Sequence, residues 1–261
     1  MTAEQAAADE VLLREETDGV LVLTMNRPAA RNAMSLELAT RLAAAFEEFD
    51  ARPELRVAVL TGAGGTFCAG MDLKGFSRGE IPIIEGRGFG GLVEQTPAKP
   101  LIAAVEGWAL GGGFELALAS DLIVAADTAT FGLPEVKRGL TANAGGLLRL
   151  PRRIPYHRAM ELILTGRPLP ATEAQDLGLV TTVTAAGGAL DAARELAATI
   201  AANAPLAVAT SKRIIRESPD WPADEMFTRQ HPIVQRIRES DDAKEGARAF
   251  AEKRSPVWTA S

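Results

Sequence analysis

Cysteine is almost missing from this sequence: Cys68 is the only one in 261 residues. A lone thiol closes no disulfide within the chain and suits a reducing compartment. Histidine is nearly as scarce, with only His157 and His231, and no spacing of Cys, His, Asp or Glu suggests a metal centre. Aromatic residues make up 5% of the chain, so the core must be built mainly from Ala, Val, Leu and Ile. No apolar run reaches the roughly 18–20 residues of a membrane-spanning helix; "LALASDLIVAA" is cut by Asp121. The opening "MTAEQAAADE" lacks the basic and apolar blocks of a signal peptide. Positive charge is not concentrated either: the net charge is −6 and Lys and Arg are scattered. A nucleic-acid partner is therefore excluded, whereas a small anionic ligand needs only a few placed cations. These absences predict a soluble, cytoplasmic protein with neither a membrane nor a nucleic-acid partner.

Alternation of strands and helices is abundant. "GVLVLTMNRP" (19–28) reads as a strand stopped by proline, with a shorter strand around "VLLREE" before it. Ser35 is placed to cap a helix over "LELATRLAAAFEEFD", where Leu38, Leu42, Phe46 and Phe49 recur at helical spacing. Further strands are expected at "LRVAVLTG" (55–62), "PLIAAVEGWAL" (100–110) and "DLIVAAD" (121–127), so the class is α/β. Glycine-rich residues 75–96 break this rhythm and read as a long irregular connection. From about Leu190 the pattern is helical throughout.

Three motifs match chemistries that their surroundings do not support. "LTGAGGTF" puts glycines after a strand, but Phe67 falls where a dinucleotide loop wants Gly or Ala. "GFSRG" (75–79) has the letters of a nucleophile elbow around Ser77 without the strand before and helix after. Cys68 beside Phe67 reads as a small buried hydrophobe, with nothing to orient His157 or His231 toward it.

"GWALGGGFELALAS" (107–120) carries a stronger signal. Three glycines at a helix start permit close approach to unpaired N–H groups at the positive end of the helix dipole. Such a site favours an anion or a developing negative charge. Glu115, in the first turn among apolar neighbours, is either the resident anion of that helix or a carboxyl whose burial raises its pKa into the range useful for proton transfer. Glu135 in "FGLPEVKRG" has a similar apolar setting twenty positions on, and the intervening strand is able to return it to the same cleft; an ion pair with Lys137 or Arg138 is its alternative. Small residues in "GTFCAGMDLKG" (65–75) leave main-chain amides accessible ahead of Asp72. Two glycine-rich turns and two acids suggest an oxyanion-stabilising acid/base site.

"FCAGMDLK", "GWALGGGFELALASD" and "FGLPEVKRG", with "RPAARNAMS" (27–35) and "AFAEKRSPVW" (249–258), resemble the crotonase (enoyl-CoA hydratase/isomerase) superfamily in order and spacing. The resemblance covers nearly the whole chain. Among family members, "GFGGLVEQT", "GGGFELALASD" and "AFAEKRSPVW" most resemble carnitinyl-CoA dehydratases. The resemblance implies an acyl-CoA thioester substrate, with coenzyme A part of the substrate and no separate cofactor or metal. It implies an oxyanion hole from the amides of Met71 and Gly112. Glu115 is then the base toward water and Glu135 the proton donor to C2 of a 2-enoyl thioester. Isomerase relatives commonly keep only the acid matching Glu135, so the pair favours hydration or dehydration. Ala33, Ala69, Asp72, Leu73 and Lys74 are implied along the CoA path, and Phe250 and Lys253 in completing the site of a neighbouring subunit. The implied fold is a spiral of ββα turns over 1–195, followed by a helical trimerisation region over 196–261. The implied assembly is a trimer or a dimer of trimers. Asn143 stands where typical hydratases carry glycine, and Trp108 with the 75–96 loop is expected to shape the acyl pocket. The rival from another class is a serine hydrolase using Ser77.

Overall fold

Alternation along the strands sorts the core into two layers. The computed structural model describes residues 10–261; residues 1–9 of the opening stretch lie outside. Strands β1 (Leu12–Thr17) and β2 (Val20–Met25) form an antiparallel hairpin. Along β2, Leu21, Leu23 and Met25 enter the main core while Val20 and Val22 enter a second apolar layer on the other face. Ser35 caps α1 (Leu36–Ala51) as predicted, its hydroxyl accepting the Leu38 N–H at 3.2 Å. Leu38, Leu42, Phe46 and Phe49 of α1 are fully buried.

The chain continues through β3 (Val57–Gly62), α2 (Leu73–Phe76), β4 (Ile83–Ile84), β5 (Gly88–Phe89), β6 (Leu101–Val105), β7 (Trp108–Leu110), α3 (Gly112–Ala119), β8 (Leu122–Ala126) and β9 (Thr130–Gly132). Next come α4 (Gly146–Arg153), α5 (Tyr156–Thr165), β10 (Leu169–Pro170), α6 (Ala171–Asp176), β11 (Thr182–Thr184) and α7 (Ala189–Ala201). Helices α8 (Pro205–Glu217), α9 (Met226–Arg238) and α10 (Asp241–Glu252) complete it. The main sheet runs β1-β2-β3-β6-β8-β11 and is parallel from β2 onward; a smaller sheet runs β10-β9-β7.

The expected strand over 100–110 is two strands in two sheets. Gly107, at φ 53°, turns the chain between them, and a side chain there would meet the Gly65 carbonyl at 2.4 Å. That corner carries β7 out of the main sheet and aims α3 away from it. The irregular 75–96 region contains the antiparallel pair β4/β5 and the end of α2.

Helix α7 lies on the second apolar layer, with Ala189, Ala193, Ala197 and Ala201 at four-residue spacing packed with Val57, Val59, Ile102 and Val124. The boundary expected at 195/196 falls inside this helix. Asp121, which interrupts the apolar run before β8, accepts the Leu101 N–H at 2.8 Å and pairs with Lys212 of α8 at 2.6 Å. The C-terminal segment is fastened to the same region, with Trp258 Nε1 donating to the Ala202 carbonyl at 2.8 Å. Among the described residues, no helix is long and apolar enough to cross a membrane.

Asn32 joins the loop after β2 to the loop after β3. Its φ is 53°, a left-handed conformation that Asn tolerates. Fully buried, it donates through Nδ2 to the carbonyls of Ala63 (2.8 Å) and Thr66 (2.6 Å), and its Oδ1 accepts the Arg27 N–H at 2.9 Å. Asn32→Asp keeps the volume but turns an oxygen toward two carbonyls, and is expected to cost about 2–4 kcal/mol. Urea unfolding of the two proteins measures this, and a loss below about 0.5 kcal/mol, the range of an ordinary surface change, contradicts it.

Candidate active site

The site begins where two stretches of backbone touch. Cys68 forms an isolated parallel bridge with Ala109, donating its N–H to the Trp108 carbonyl (2.9 Å) and accepting from the Leu110 N–H (3.0 Å). Both stretches run on in the same direction, which brings Met71 opposite Gly112. Gly70, at φ 99°, makes the approach possible: a Cβ there would lie 2.9 Å from the Leu110 carbonyl and 3.7 Å from the Gly112 nitrogen. Residues on either side of Met71 are tied to Met34, through Met34 N–H to the Gly70 carbonyl (2.8 Å) and Asp72 N–H to the Met34 carbonyl (2.9 Å). Neither the Met71 nor the Gly112 N–H has a hydrogen-bond acceptor among the described residues. The structure thus brings two neighbouring donors together at a helix N-terminus and leaves both unengaged.

The run Gly111–Gly113 has steric reasons. A Cβ on Gly113 would stand 2.1 Å from the Cys68 carbonyl, and one on Gly112 would strike the Phe89 ring at 2.4 Å. Gly111 has φ 53°, and a Cβ there would sit 2.9 Å from Glu135 Oε1. That distance places the Glu135 carboxylate beside the start of α3. It arrives because β9 runs parallel to β7, with the Gly111 N–H bonded to the Gly132 carbonyl at 2.8 Å. Glu135 then opens a single helical turn over Glu135–Arg138.

Glu115, 3% exposed, is the only charged residue of α3. It does not cap its own helix; Oε1 accepts the Gly146 N–H at 2.9 Å, from the start of α4. Burial pushes its pKa from 4.5 up to about 7, and the Glu135 charge pushes the same way, while the Gly146 and Ala144 amides and, least of these, the Arg149 guanidinium oppose the rise. Burial also raises the Glu135 pKa, against the pull of Arg138. Glu135 Oε2 is buried without a hydrogen-bond partner, and Lys137 and Arg138 are exposed, so the surface ion pair is not formed there. Burial therefore favours the protonated form of both acids, and Glu135 stands beside Gly111 at the start of α3.

The remaining predicted residues are more dispersed. Ala33 and Ala69 are half-buried, with the Ala69 N–H on the Arg31 carbonyl at 3.1 Å. Asp72 is occupied with structure: one oxygen accepts from Arg27 at 2.8 Å, and the other caps α2 through the N–H groups of Lys74 (3.0 Å) and Gly75 (3.2 Å). The Arg27 hydrogen bond holds its carboxyl below the usual range. Leu73 and Lys74 project into solvent, as do Phe250 and Lys253 on the separate C-terminal helix α10. Ser77 is exposed and donates to the Lys74 carbonyl at 2.9 Å. Cys68 is buried, its thiol pushed up to about 11 by burial, and both histidines are exposed. Neither alternative nucleophile has the company it needs. Asn143 is exposed on the loop before α4. Sequence reasoning missed the Gly146 amide, the Arg149 guanidinium and the Phe89 ring. The paired glycines of "TANAGG" were the visible sign of the first; the other two lie in contacts between distant segments.

Known proteins are similar to this chain along nearly its whole length. The enoyl-CoA hydratase/isomerase family model matches residues 15–261. The enoyl-CoA hydratase EchA19 of Mycobacterium tuberculosis is 44% identical over 259 residues, covering 94% of each chain. The carnitinyl-CoA dehydratase of Proteus mirabilis is also 44% identical, over 92% of this chain and 94% of its own. A crystal structure of an enoyl-CoA hydratase from M. tuberculosis H37Rv superposes with a TM-score of 0.95 at 57% identity, covering 96% of this chain and 99% of that one. With its strand order, its two unengaged amides and its paired acids, this chain belongs to the enoyl-CoA hydratase/isomerase family, the crotonase superfamily.

Proposed function

We propose that this protein is an enoyl-CoA hydratase, a hydro-lyase that reversibly adds water across the 2,3 double bond of a 2-enoyl-CoA thioester. The observation that carries this reading is that Glu135 stands beside Gly111 at the start of α3, the helix that carries the buried Glu115. The thioester oxygen accepts from Met71 and Gly112, each such donor being worth ~10²–10³ in rate. Glu115 takes a proton from water as its oxygen bonds to C3. The π electrons move toward the thioester, whose enolate oxygen the two amides hold. Glu135 then delivers its proton to C2, so water's oxygen and one hydrogen end on adjacent carbons. The two acids are left with one proton between them, on the other partner, and the pair titrates as a unit.

The raised pKa values support these roles. At a pKa of about 7 Glu115 is partly ionised near neutrality and able to accept a proton, and burial raises the Glu135 pKa, which favours its acid form. The dehydratase reading uses the same acids in the reverse direction. It is favoured by one observation, the equal identity of this chain to the curated hydratase and to the curated carnitinyl-CoA dehydratase.

Backbone at Ala33 and Ala69, and the turn carrying Asp72, Leu73 and Lys74, line the proposed CoA path, Lys74 lying near adenine or phosphate. The assembly proposed is a trimer or a dimer of trimers, formed by the helical region after the 1–195 core. Large exposed apolar side chains on its helices support this: Phe250 is 88% exposed, Phe227 72% and Ile215 71%. Phe250 and Lys253 would complete a neighbour's CoA site. A cytoplasmic location suits such a substrate.

Loss of the enoyl absorbance of crotonyl-CoA tests the chemistry. Glu115→Gln is expected to lose ~10² or more in kcat, and Ser77→Ala to change little. Turnover of crotonobetainyl-CoA without turnover of crotonyl-CoA selects the dehydratase, and thioester cleavage abolished by Ser77→Ala selects the hydrolase. Light scattering is expected to give a trimeric or hexameric mass, and a strictly monomeric mass contradicts the assembly.

The buried acid also has a stability signature. Between pH 4.5 and about 7 the folded chain keeps a proton on Glu115 that the unfolded chain releases, so stability falls as pH rises through that window. The penalty above it is on the order of 3 kcal/mol. Glu115→Gln escapes it, so the variant is expected to gain on the wild type between pH 5 and pH 8 in urea unfolding. An identical stability difference at both pH values refutes this.

A further inference from the structure

The acid Glu115 accepts the Gly146 N–H, with the Ala144 amide also acting on it, and that turn is itself held in place. Gly146 starts α4, and a Cβ on it would lie 3.0 Å from Glu115 Oε1, so carboxylate and backbone are already in contact. Arg149 lies one turn further along α4. Its side chain folds back over the turn: a Cβ on Gly145 would fall 2.0 Å from Arg149 Nη1 and 3.2 Å from Cζ. Gly145 has φ 105° and offers only hydrogen on that side. The other end of the same guanidinium, Nη2, donates to the Val93 carbonyl. One side chain therefore joins the start of α4 to the 86–95 loop.

We propose that Arg149 is a positioning residue for the reaction: its guanidinium clamps the Gly145–Gly146 turn against the 86–95 loop, aiming the Glu115 carboxylate and supplying the cation that favours its ionised form. The inference rests on the role given to Glu115 above. A planar, permanently charged fork suits the task, because it fills one contact and donates in another while staying charged.

The charges around the pair are few. Glu115 is faced by Glu135 from the turn after β9 and by Arg149 from α4. Arg149 is faced by Arg153 on its own helix, by Arg216 of α8 and by Glu115. Arg153 donates to the Ser120 carbonyl, and Arg216 donates to Thr96 Oγ1. From the 86–95 loop the contact is a carbonyl; Arg87 there turns to the Gly91 carbonyl and to Glu47. Burial and the two neighbouring guanidinium groups disfavour the Arg149 charge, whereas Glu115 favours it. The arrangement places excess positive charge behind a carboxylate that burial alone would keep protonated.

The experiment compares the pH profiles of kcat/KM for wild type, Arg149→Met and Arg149→Lys, together with a carboxyl ¹³C NMR titration in which Glu115→Gln identifies the resonance. Arg149→Met keeps the aliphatic stem and removes the charge. It is expected to move the acid limb, and the carboxyl titration, to higher pH by about half a unit or more, which is about a three-fold loss below the limb that recovers above it. Arg149→Lys keeps the charge without the fork; its limb stays near that of the wild type while kcat falls at every pH. A pH-independent loss in Arg149→Met with the limb unmoved reduces Arg149 to a packing role and overturns the proposal, as does a Lys variant that shifts as far as the Met variant. If the wild type fails to hydrate enoyl-CoA yet the carboxyl titration moves as stated, the reaction assignment fails and the Arg149 coupling stands. Intact hydration with an unmoved titration has the opposite consequence.

Discussion

Everything at this site depends on how closely two stretches of backbone approach: the Gly70–Met71 turn and the Gly111–Gly113 start of α3. A carbonyl, an aromatic ring and a carboxylate each stand closer to one of those three glycines than a side chain would allow. The Cys68 carbonyl fixes the depth at which α3 begins, Phe89 closes over the first helical residue, and Glu135 reaches the glycine before it. Replacing any of the three would force a different neighbour to move. The conformational freedom lost in ordering such a run is offset by two N–H groups at a helix terminus, where the dipole favours negative charge.

That geometry creates an electrostatic setting that folding alone would not select. Glu115 is buried in an otherwise apolar helix, and Glu135 has a buried oxygen with no partner. Both features destabilise the resting protein, and both prepare it for a substrate that brings an acceptor for the amides and a reactive centre for the acids. Groups around Glu115 work in opposite directions. Burial and Glu135 favour its neutral form, while the Gly146 N–H and Arg149 favour its charge. The balance leaves its pKa near neutrality, where one carboxyl is able both to take and to return a proton.

The rest of the architecture holds these parts in register. The parallel sheet delivers β7 and β9 side by side, and Asn32 and Asp72 lock the loops that support Met71. Helix α7 covers the opposite face with alanines small enough to lie close to the valines of β2 and β3. Lys212 and Trp258 attach the C-terminal helices to this frame.

Much of this was legible in the residues. Apolar runs marked β2, β3 and β8, and Ser35 with the spacing of Leu38, Leu42 and Phe46 marked α1. The glycines before Glu115 identified an unusual helix start. The strand over 100–110 misled because "PLIAAVEGWAL" is apolar apart from Glu106, and only the contact of Gly107 with Gly65 shows where it must turn. The resemblance implied Asp72 along the CoA path, and its pairing with Arg27 was hidden because the two lie 45 positions apart. Local pattern, then, determined the class of fold, most of its elements and the two acids, because periodicity and glycine content act over a few residues. Tertiary structure alone decided that the Glu115 carboxylate accepts the Gly146 N–H, that Arg149 ties the start of α4 to the Val93 carbonyl, and that the Met71 and Gly112 N–H groups find no acceptor among the described residues. Those facts depend on distances between segments far apart in the chain, which no local pattern encodes.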